Sequence, residues 1–490
     1  MKKTLIYLPF GALALLASCS FLDKAPLTTL TPNNFFQSAT DAEASLTAAY
    51  DALQLTGAYG QDLNVMGEMP SDNCTSTNGD VNAMDKIIWT TTTSQVNNVY
   101  RDAFIGVNRA NIVLKYVPTV TMDTVRRRQI LGEARFIRAL SYFNLVRAYG
   151  GVPLRTAPVE SGAPADVNLA RATSEAVYAQ VVADLTSAAQ QLPASNTNRA
   201  ARNAAFALLA RVQLTQRNWA AAQAAAQQVI GSGTATLTGT FNSLYPAENK
   251  GSESLFEVQF AGNADGGNLL PDLLLPSPLA TYSFPKFNIP TANLLAAADT
   301  VNDKRWAFAG NASAANGRTV GRNHVSYIDG KPGPGGNSND VGPFVFKWRS
   351  LGNGFNSTDN SYVLRYAEVL LTYAEAANEQ NGPTADALAK LNLVRQRAGL
   401  AALAQVASKE ALRNEIDRQR RLELAFEGER WFDLLRYARH TQADGSARHT
   451  VTALDVIQQQ RGAADANYLL FPIPLAEINN NPLITQNPGF

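Results

Sequence analysis

Glu423 and Glu427 stand four residues apart in the polar, arginine-rich stretch 421–434. On one face of a helix, such a pair could supply the two carboxylates that glycoside hydrolysis needs on either side of the scissile bond. Arg420 and Arg430 lie three residues outside the pair, which is the spacing of ordinary helix ion pairs, and that favours a structural role. The three histidines, His324, His440 and His449, lack the spacing of a zinc site. No Walker-type phosphate loop and no Gly-x-Ser-x-Gly nucleophile turn occurs. The residues therefore point to recognition more than to catalysis, and no metal or other cofactor is expected.

Recognition of sugars requires flat apolar faces for ring C–H groups, with amides and carboxylates for the hydroxyls. Two non-helical stretches combine these types. The loop after the first helix carries Tyr59, Asp72, Asn73 and Trp89, and the middle of the chain carries Tyr282, Phe284, Trp306 and Trp348. Tyr59, Asp72, Asn73, Trp89, Tyr282 and Trp306 are the candidate ligand contacts. Each aromatic has a competing role in the core. Trp89 precedes the polar run 90–94 and is the favoured contact, whereas Trp306 follows Asn302-Asp303-Lys304-Arg305 and sits near a structural corner. Trp219 and Trp431 fall on helical motifs, where packing is expected. Asp72 and Asn73 could equally form a local turn.

The elements that must position these groups are mostly helices. Residues 41–53 and 99–117 read as helices, the second ended by Pro118. Asp123 is a candidate N-cap for a long helix reaching Tyr149, with Phe136, Leu140, Phe143 and Val146 on one face and Gly150-Gly151-Val152-Pro153 as its stop. A helix from Ser174 follows, then 202–216 and a partner starting near Trp219. This pair resembles a tetratricopeptide repeat, with Ala210 and Ala222 at the close approach. A second pair comes late, around Leu370 and Leu391. Its distance in sequence from the first argues against one continuous solenoid. Between the pairs, 231–360 is rich in Gly, Asn, Ser and Pro but keeps many aromatics, with a strand expected at 254–260. A stretch of that length and composition marks a functional insertion.

The chain has 490 residues, with 46% hydrophobic and 17% charged, the composition of a globular protein with a large core. Residues 1–18 have a signal layout, with Lys2 and Lys3 ahead of a short apolar run. Leu16-Ala17-Ser18-Cys19 resembles the bacterial lipoprotein signal, which implies lipidation at Cys19 and a body tethered to a membrane surface. With Lys2 and Lys3 removed, 40 cationic residues face 41 acidic ones, so no net pull toward nucleic acid is expected. Cys74 then has no partner for an internal disulfide and reads as a buried, inert thiol.

Several motifs recur in an order that resembles the SusD/RagB family of outer-membrane nutrient-binding lipoproteins. They are Phe35-Phe36 before the first helix, GEARFIRAL at 132–140 leading to YGGVPL at 149–154, LRYAEVLL at 364–371, and NLVRQRAGL at 392–400. RLELAFEGERWFDL at 421–434, FPIP at 471–474 and QNPGF at 486–490 complete the series. Gln419 departs from the pattern, standing where the family often has Glu. The resemblance implies a mostly α fold, in which tetratricopeptide-like helix pairs form a scaffold and a loop-rich irregular part binds the ligand. It implies a signal at 1–18, a helical region at 19–230, a ligand-binding insertion at 231–360 and a second helical region at 361–490. It further implies a protein lipid-anchored at the outer membrane that captures an oligosaccharide or peptide, performs no chemistry on it, and serves a TonB-dependent transporter of the SusC type.

Overall fold

The computed structural model describes residues 35–239, 241, 244–245, 251–262, 266–276, 281, 286–306, 312–314, 318–320, 325–328, 342–348, 353–439 and 449–490. The leader, Cys19, Tyr282, Phe284, His324 and His440 lie outside them. Helix dominates. The N-terminal half holds α1 (Ala39–Asp51), α2 (Asp62–Glu68), α3 (Ser94–Tyr116), α4 (Thr124–Tyr149), α5 (Ser174–Gln191), α6 (Arg202–Thr215) and α7 (Trp219–Ser232). After the irregular middle come α8 (Tyr366–Asn381), α9 (Ala385–Arg397), α10 (Lys409–Glu423), α11 (Arg430–Arg439) and α12 (Ala453–Arg461).

Local chemistry explains the helix ends. Ser38 and Asp41 form a reciprocal capping box at α1. Asp123 caps α4 as expected, its Oδ1 accepting from the Arg126 N–H at 2.7 Å. Gly150, at φ +74°, ends that helix in a conformation that L side chains avoid.

Helices α4 to α7 pack successively, each against the next. Helix α7 then packs against α8, which packs against α9 and α10. The two helix pairs, widely separated in sequence, thus continue one stack in space, contrary to the expectation from sequence distance. Small side chains make the junction possible, since Ala222 and Ala376 share a buried cluster with Leu214 under Trp219. Gln380 Nε2 also donates to Gln223 Oε1 across it, at 2.7 Å. The intervening segment leaves the stack and returns to it. Strand β2 (Ser254–Val258), shorter than expected, pairs antiparallel with β8 (Ser361–Arg365), so the ends of the excursion meet and the loop between them is closed on the scaffold.

A buried charge network seals this closure. Arg365, the last residue of β8, spends all its donors. Nη1 reaches Glu253 at 2.6 Å and Glu423 at 3.1 Å, while Nη2 and Nε reach Glu427 at 2.7 and 2.9 Å. A further Nη2 bond goes to the Glu423 carbonyl. Arg397 pairs with Glu253 and Glu423, Arg305 with Asp303 and Glu423, and Lys347 with Glu427. Arg305, Lys347, Arg365 and Arg397 therefore balance Glu253, Asp303, Glu423 and Glu427, and every side chain of the set is at most 7% exposed. Charges so deeply buried persist only when paired and hydrogen-bonded. Gln419 also belongs to this interior, its Oε1 accepting from Arg305 Nη2 at 2.7 Å, so the neutral residue at that position sits within the network.

Candidate functional site

A cleft of about 820 Å³ opens where the loop after the first helix meets the middle segment. One wall is polar. Gln61 and Gln95 bring amides, and Thr90, Thr92, Thr93 and Ser94 bring hydroxyls. The apolar part of the lining consists of Leu269, Leu273, Phe287 and Phe355. Asp80 is the one charged side chain lining the cleft among the described residues. The volume lies in the range of ligand clefts, and the arrangement offers aromatic surface alongside hydroxyls and amides with little net charge.

Both walls are fixed from behind. Strand β1 (Cys74–Thr75) pairs with β3 (Ile289–Pro290), stitching the early loop to the middle segment. The Thr291 N–H and hydroxyl donate to the carbonyls of Asn73 and Asp72, at 2.9 and 2.8 Å. The polar run turns on itself, the Thr90 N–H donating to Thr93 Oγ1 at 2.8 Å, and the Thr91 carbonyl is held by the Leu475 N–H. Gln95 is buried with its Nε2 donating to the Asp80 carbonyl at 3.1 Å.

The apolar wall depends on a buried carboxylate. Asp272, fully buried, accepts from the backbone N–H groups of Thr281, Asn353 and Phe355 at 3.0, 3.1 and 2.9 Å. Phe355 is held there at φ +66°, a conformation that a bulky residue rarely adopts.

The two stretches singled out in the sequence do come together, yet the residues expected to touch ligand mostly face inward. Trp89 is 1% exposed, packed by Phe471 at 4.5 Å, Tyr468 at 5.6 Å and Trp431 at 6.1 Å between ring centroids. It supports the polar run from beneath and offers no free ring face. Trp306 is 2% exposed against Phe426, at the corner foreseen for it. Tyr59 packs on the core with its hydroxyl accepting from Asn144 Nδ2 at 3.2 Å. Asp72 is the ion-pair partner of Arg430 and Arg421, and Asn73 bridges Glu68 and Arg421. These two act as the turn that joins the cleft to the C-terminal motif. Tyr282 lies outside the described residues. Sequence reasoning missed Gln61, Gln95, Phe287 and Phe355 as lining groups, and treated the 90–94 run as context for Trp89 when it forms the wall itself.

The glutamates raised as a hydrolytic pair do not share a helix face. Helix α10 ends at Glu423, and Phe426 and Gly428, at φ +67° and +79°, turn the chain before α11. Both carboxylates are sequestered in the buried network. Although burial works the other way, Arg365 and Lys347 hold Glu427 below the usual carboxylate range. Glu423 is bonded to Arg305, Arg365 and Arg397, and Glu427 to Arg365 and Lys347, so their oxygens are spent on buried cations. Arg420 and Arg430 pair with Asp433 and Asp417 in place of these glutamates.

The 426–428 turn is braced by Glu68, which accepts from Asn73 Nδ2 at 2.8 Å and from the N–H groups of Phe426 and Gly428 at 2.9 and 3.2 Å. Burial nonetheless pushes this carboxyl up to about 7 from its ordinary 4.5. Between those values the folded chain keeps a proton that the unfolded chain has released. This group's contribution to stability therefore falls as pH rises through the window and is flat above it. Glu68→Gln, neutral at every pH, is expected to remove that component, worth at most about 3 kcal/mol between pH 4.5 and 7. Urea midpoints of both proteins across that range check this, and parallel profiles would refute it.

Against known proteins, residues 297–490 match the family described as the SusD family, and residues 20–214 match the one described as "Starch-binding associating with outer membrane". A SusD-like protein of Formosa agariphila is 25% identical over 515 residues, covering 97% of each chain. A SusD superfamily structure from Parabacteroides distasonis superimposes with a TM-score of 0.77 at 27% identity, over 94% of this chain and all of that one. A laminarin-binding SusD-like protein superimposes with a TM-score of 0.73 at 26% identity, over 93% of this chain and all of that one. The family matches at both ends of the chain, the full-length relatives and the shared helical architecture agree, and the chain belongs to the SusD family.

Proposed function

We propose that this protein is a cell-surface lipoprotein that holds an uncharged oligosaccharide in the cleft between residues 61–95 and 269–355 and passes it to a SusC-like TonB-dependent transporter. The observation that carries the reading is the mixed lining of the cleft, which joins Phe355 and the edge of Phe287 to the amides of Gln61 and Gln95 and the hydroxyls of Thr90, Thr92, Thr93 and Ser94. Sugar rings present one apolar face and an equatorial rim of hydroxyls, and this cleft complements both. A lining with Asp80 as its one charge favours neutral glycans over uronates or sulfated chains. The laminarin-binding structural neighbour and the starch-binding family description support carbohydrate as the class. Cys19 anchors the body to the outer membrane through lipid, and the helical stack docks on the transporter. The protein performs no chemistry on its cargo.

Titration calorimetry with laminari- and malto-oligosaccharides, and with peptides of similar length, tests the reading. Saturable binding of a neutral oligosaccharide without product release supports it. Binding of peptides alone, or of nothing at millimolar concentration, overturns it. Phe355→Gly isolates the wall. Glycine takes φ +66° freely, so the fold is expected to persist while glycan affinity drops by about tenfold, the loss of one stacking face. The anchor has a separate check. Cys19→Ala should move the protein from the membrane fraction to the soluble one or block its maturation, and retention in the membrane would contradict lipidation.

A further inference from the structure

A second cavity, of about 480 Å³, lies on the other side of the charge network, between α4, α5, α6 and α11 and roofed by residues 466–470. Its lining joins apolar surface from Phe143, Tyr178, Phe432 and Leu470 to five guanidinium groups. Four of the five are neutralised by carboxylates. Arg211 pairs with Glu368 and Glu429, Arg147 with Glu429 at 2.6 Å, Arg420 with Asp433 at 3.2 Å, and Arg436 with Glu375 and with Asp433 at 2.8 Å. Arg439 differs, since its bond is to the Leu469 carbonyl and no carboxylate among the described residues pairs with it. Arg439 is half-buried at the end of α11, and burial lowers its hold on its proton. The same cavity is lined by Arg147, 3% exposed, whose Nε has no hydrogen-bond partner, and by Gln216, whose buried Nε2 has none either. Buried donors left unmet in this way are rare in native proteins and mark a place where another group belongs.

We infer that this cavity is a binding site for a small organic carboxylate with an aromatic or branched apolar body. The carboxylate fits Arg439 and the spare donors of Arg147 and Gln216, and the body fits against Tyr178 and Leu470, since the Arg147 guanidinium already covers the faces of Phe143 and Phe432. The site is separate from the glycan cleft, shares no lining residue with it, and does not depend on the carbohydrate reading.

The probe is N-acetylphenylalanine, with its uncharged amide as the matched control, titrated calorimetrically into the full-length protein or its soluble body. The acid is expected to bind at least about tenfold more tightly than the amide, with affinity falling as salt rises. Arg439→Met is expected to erase that preference, and Arg439→Lys to restore part of it. Without ligand, Arg439→Met should leave the melting temperature unchanged or raised, because an uncompensated charge is removed. A positioning role in the fold alone would lower it. The far-ultraviolet circular dichroism spectrum should be unchanged in both variants, which serves as the control for folding. Equal binding of acid and amide, undiminished acid binding in Arg439→Met, or no saturable binding of the acid overturns the inference.

Discussion

Arg365→Met is expected to lower the stability of this protein by about 3–5 kcal/mol, more than any surface substitution could. The side chain is 1% exposed and serves three carboxylates, Glu253, Glu423 and Glu427. Its removal leaves three cations facing four anions in a volume without water. Arg397, Arg305 and Lys347 each keep their own partners, so no single carboxylate is orphaned. The cost comes from one excess buried negative charge together with the unmet lone pairs. Arg365→Lys should fall between the two, since it restores the charge but supplies three donors in place of a planar fork of five. An internal contrast comes from Arg126→Ala. The bond of Arg126 to Glu43 is a half-exposed pair of the kind worth at most about 1 kcal/mol, although its second bond, to buried Glu133, adds a deeper component. Urea denaturation followed by far-ultraviolet circular dichroism reads all three. A loss below about 1 kcal/mol for Arg365→Met would mean that the network is dispensable to the fold. The location of Arg365 sharpens the expectation. It ends β8, the strand that pairs with β2 and closes the excursion onto the scaffold. Weakening it should therefore expose the middle segment to protease before the helical stack melts.

The helical scaffold was legible because its signals are local. The apolar spacing around Phe136 and Leu140, the cap at Asp123 and the stop at Gly150 all act within a turn or two of the chain. The two stretches were legible as sources of candidate contacts, because loops with aromatics and amides are conspicuous against Ala-rich helices, but their meeting in one cleft was not. The side chains that line it were not legible. Whether Trp89 offers a ring face depends on Phe471 and Trp431, more than 340 positions away, and no periodicity near Trp89 encodes that packing. Thr and Gln, which form the polar wall, carry no distinctive pattern. The carboxylates misled for a related reason. The spacing of Arg420 and Arg430 favoured local ion pairs for Glu423 and Glu427, whereas these charges are interior and matched to partners from α9, β8 and the loops. The break lies at Phe426, held at φ +67° between the two glutamates, and a phenylalanine gives no sign of it in the sequence.

Asp272→Ala is expected to lower oligosaccharide affinity by about tenfold, as Phe355→Gly does, while leaving the helical stack folded. The carboxylate touches no ligand in this reading; it positions the wall. Three backbone N–H groups, from Thr281, Asn353 and Phe355, converge on it, and the Gly354 N–H adds a bond to Thr281 Oγ1 at 2.8 Å. Holding a phenylalanine at positive φ costs about 1–2 kcal/mol, which those bonds offset. Once the acceptor is gone, Phe355 relaxes to an ordinary conformation and its ring leaves the cleft. Three backbone donors also lose their acceptor, but those of Thr281 and Asn353 sit on exposed residues and can turn to water, so the loss of stability is about 1 kcal/mol. Asp272→Asn should be milder, keeping one acceptor oxygen and setting an amide N–H against a backbone N–H. A double-variant cycle separates placement from general damage. If Asp272 acts through Phe355, then Asp272→Ala combined with Phe355→Gly binds glycan no worse than Asp272→Ala alone, and the two losses fail to add. Additive losses would assign Asp272 a second role in the cleft, and wild-type affinity in Asp272→Ala would remove it from the site altogether.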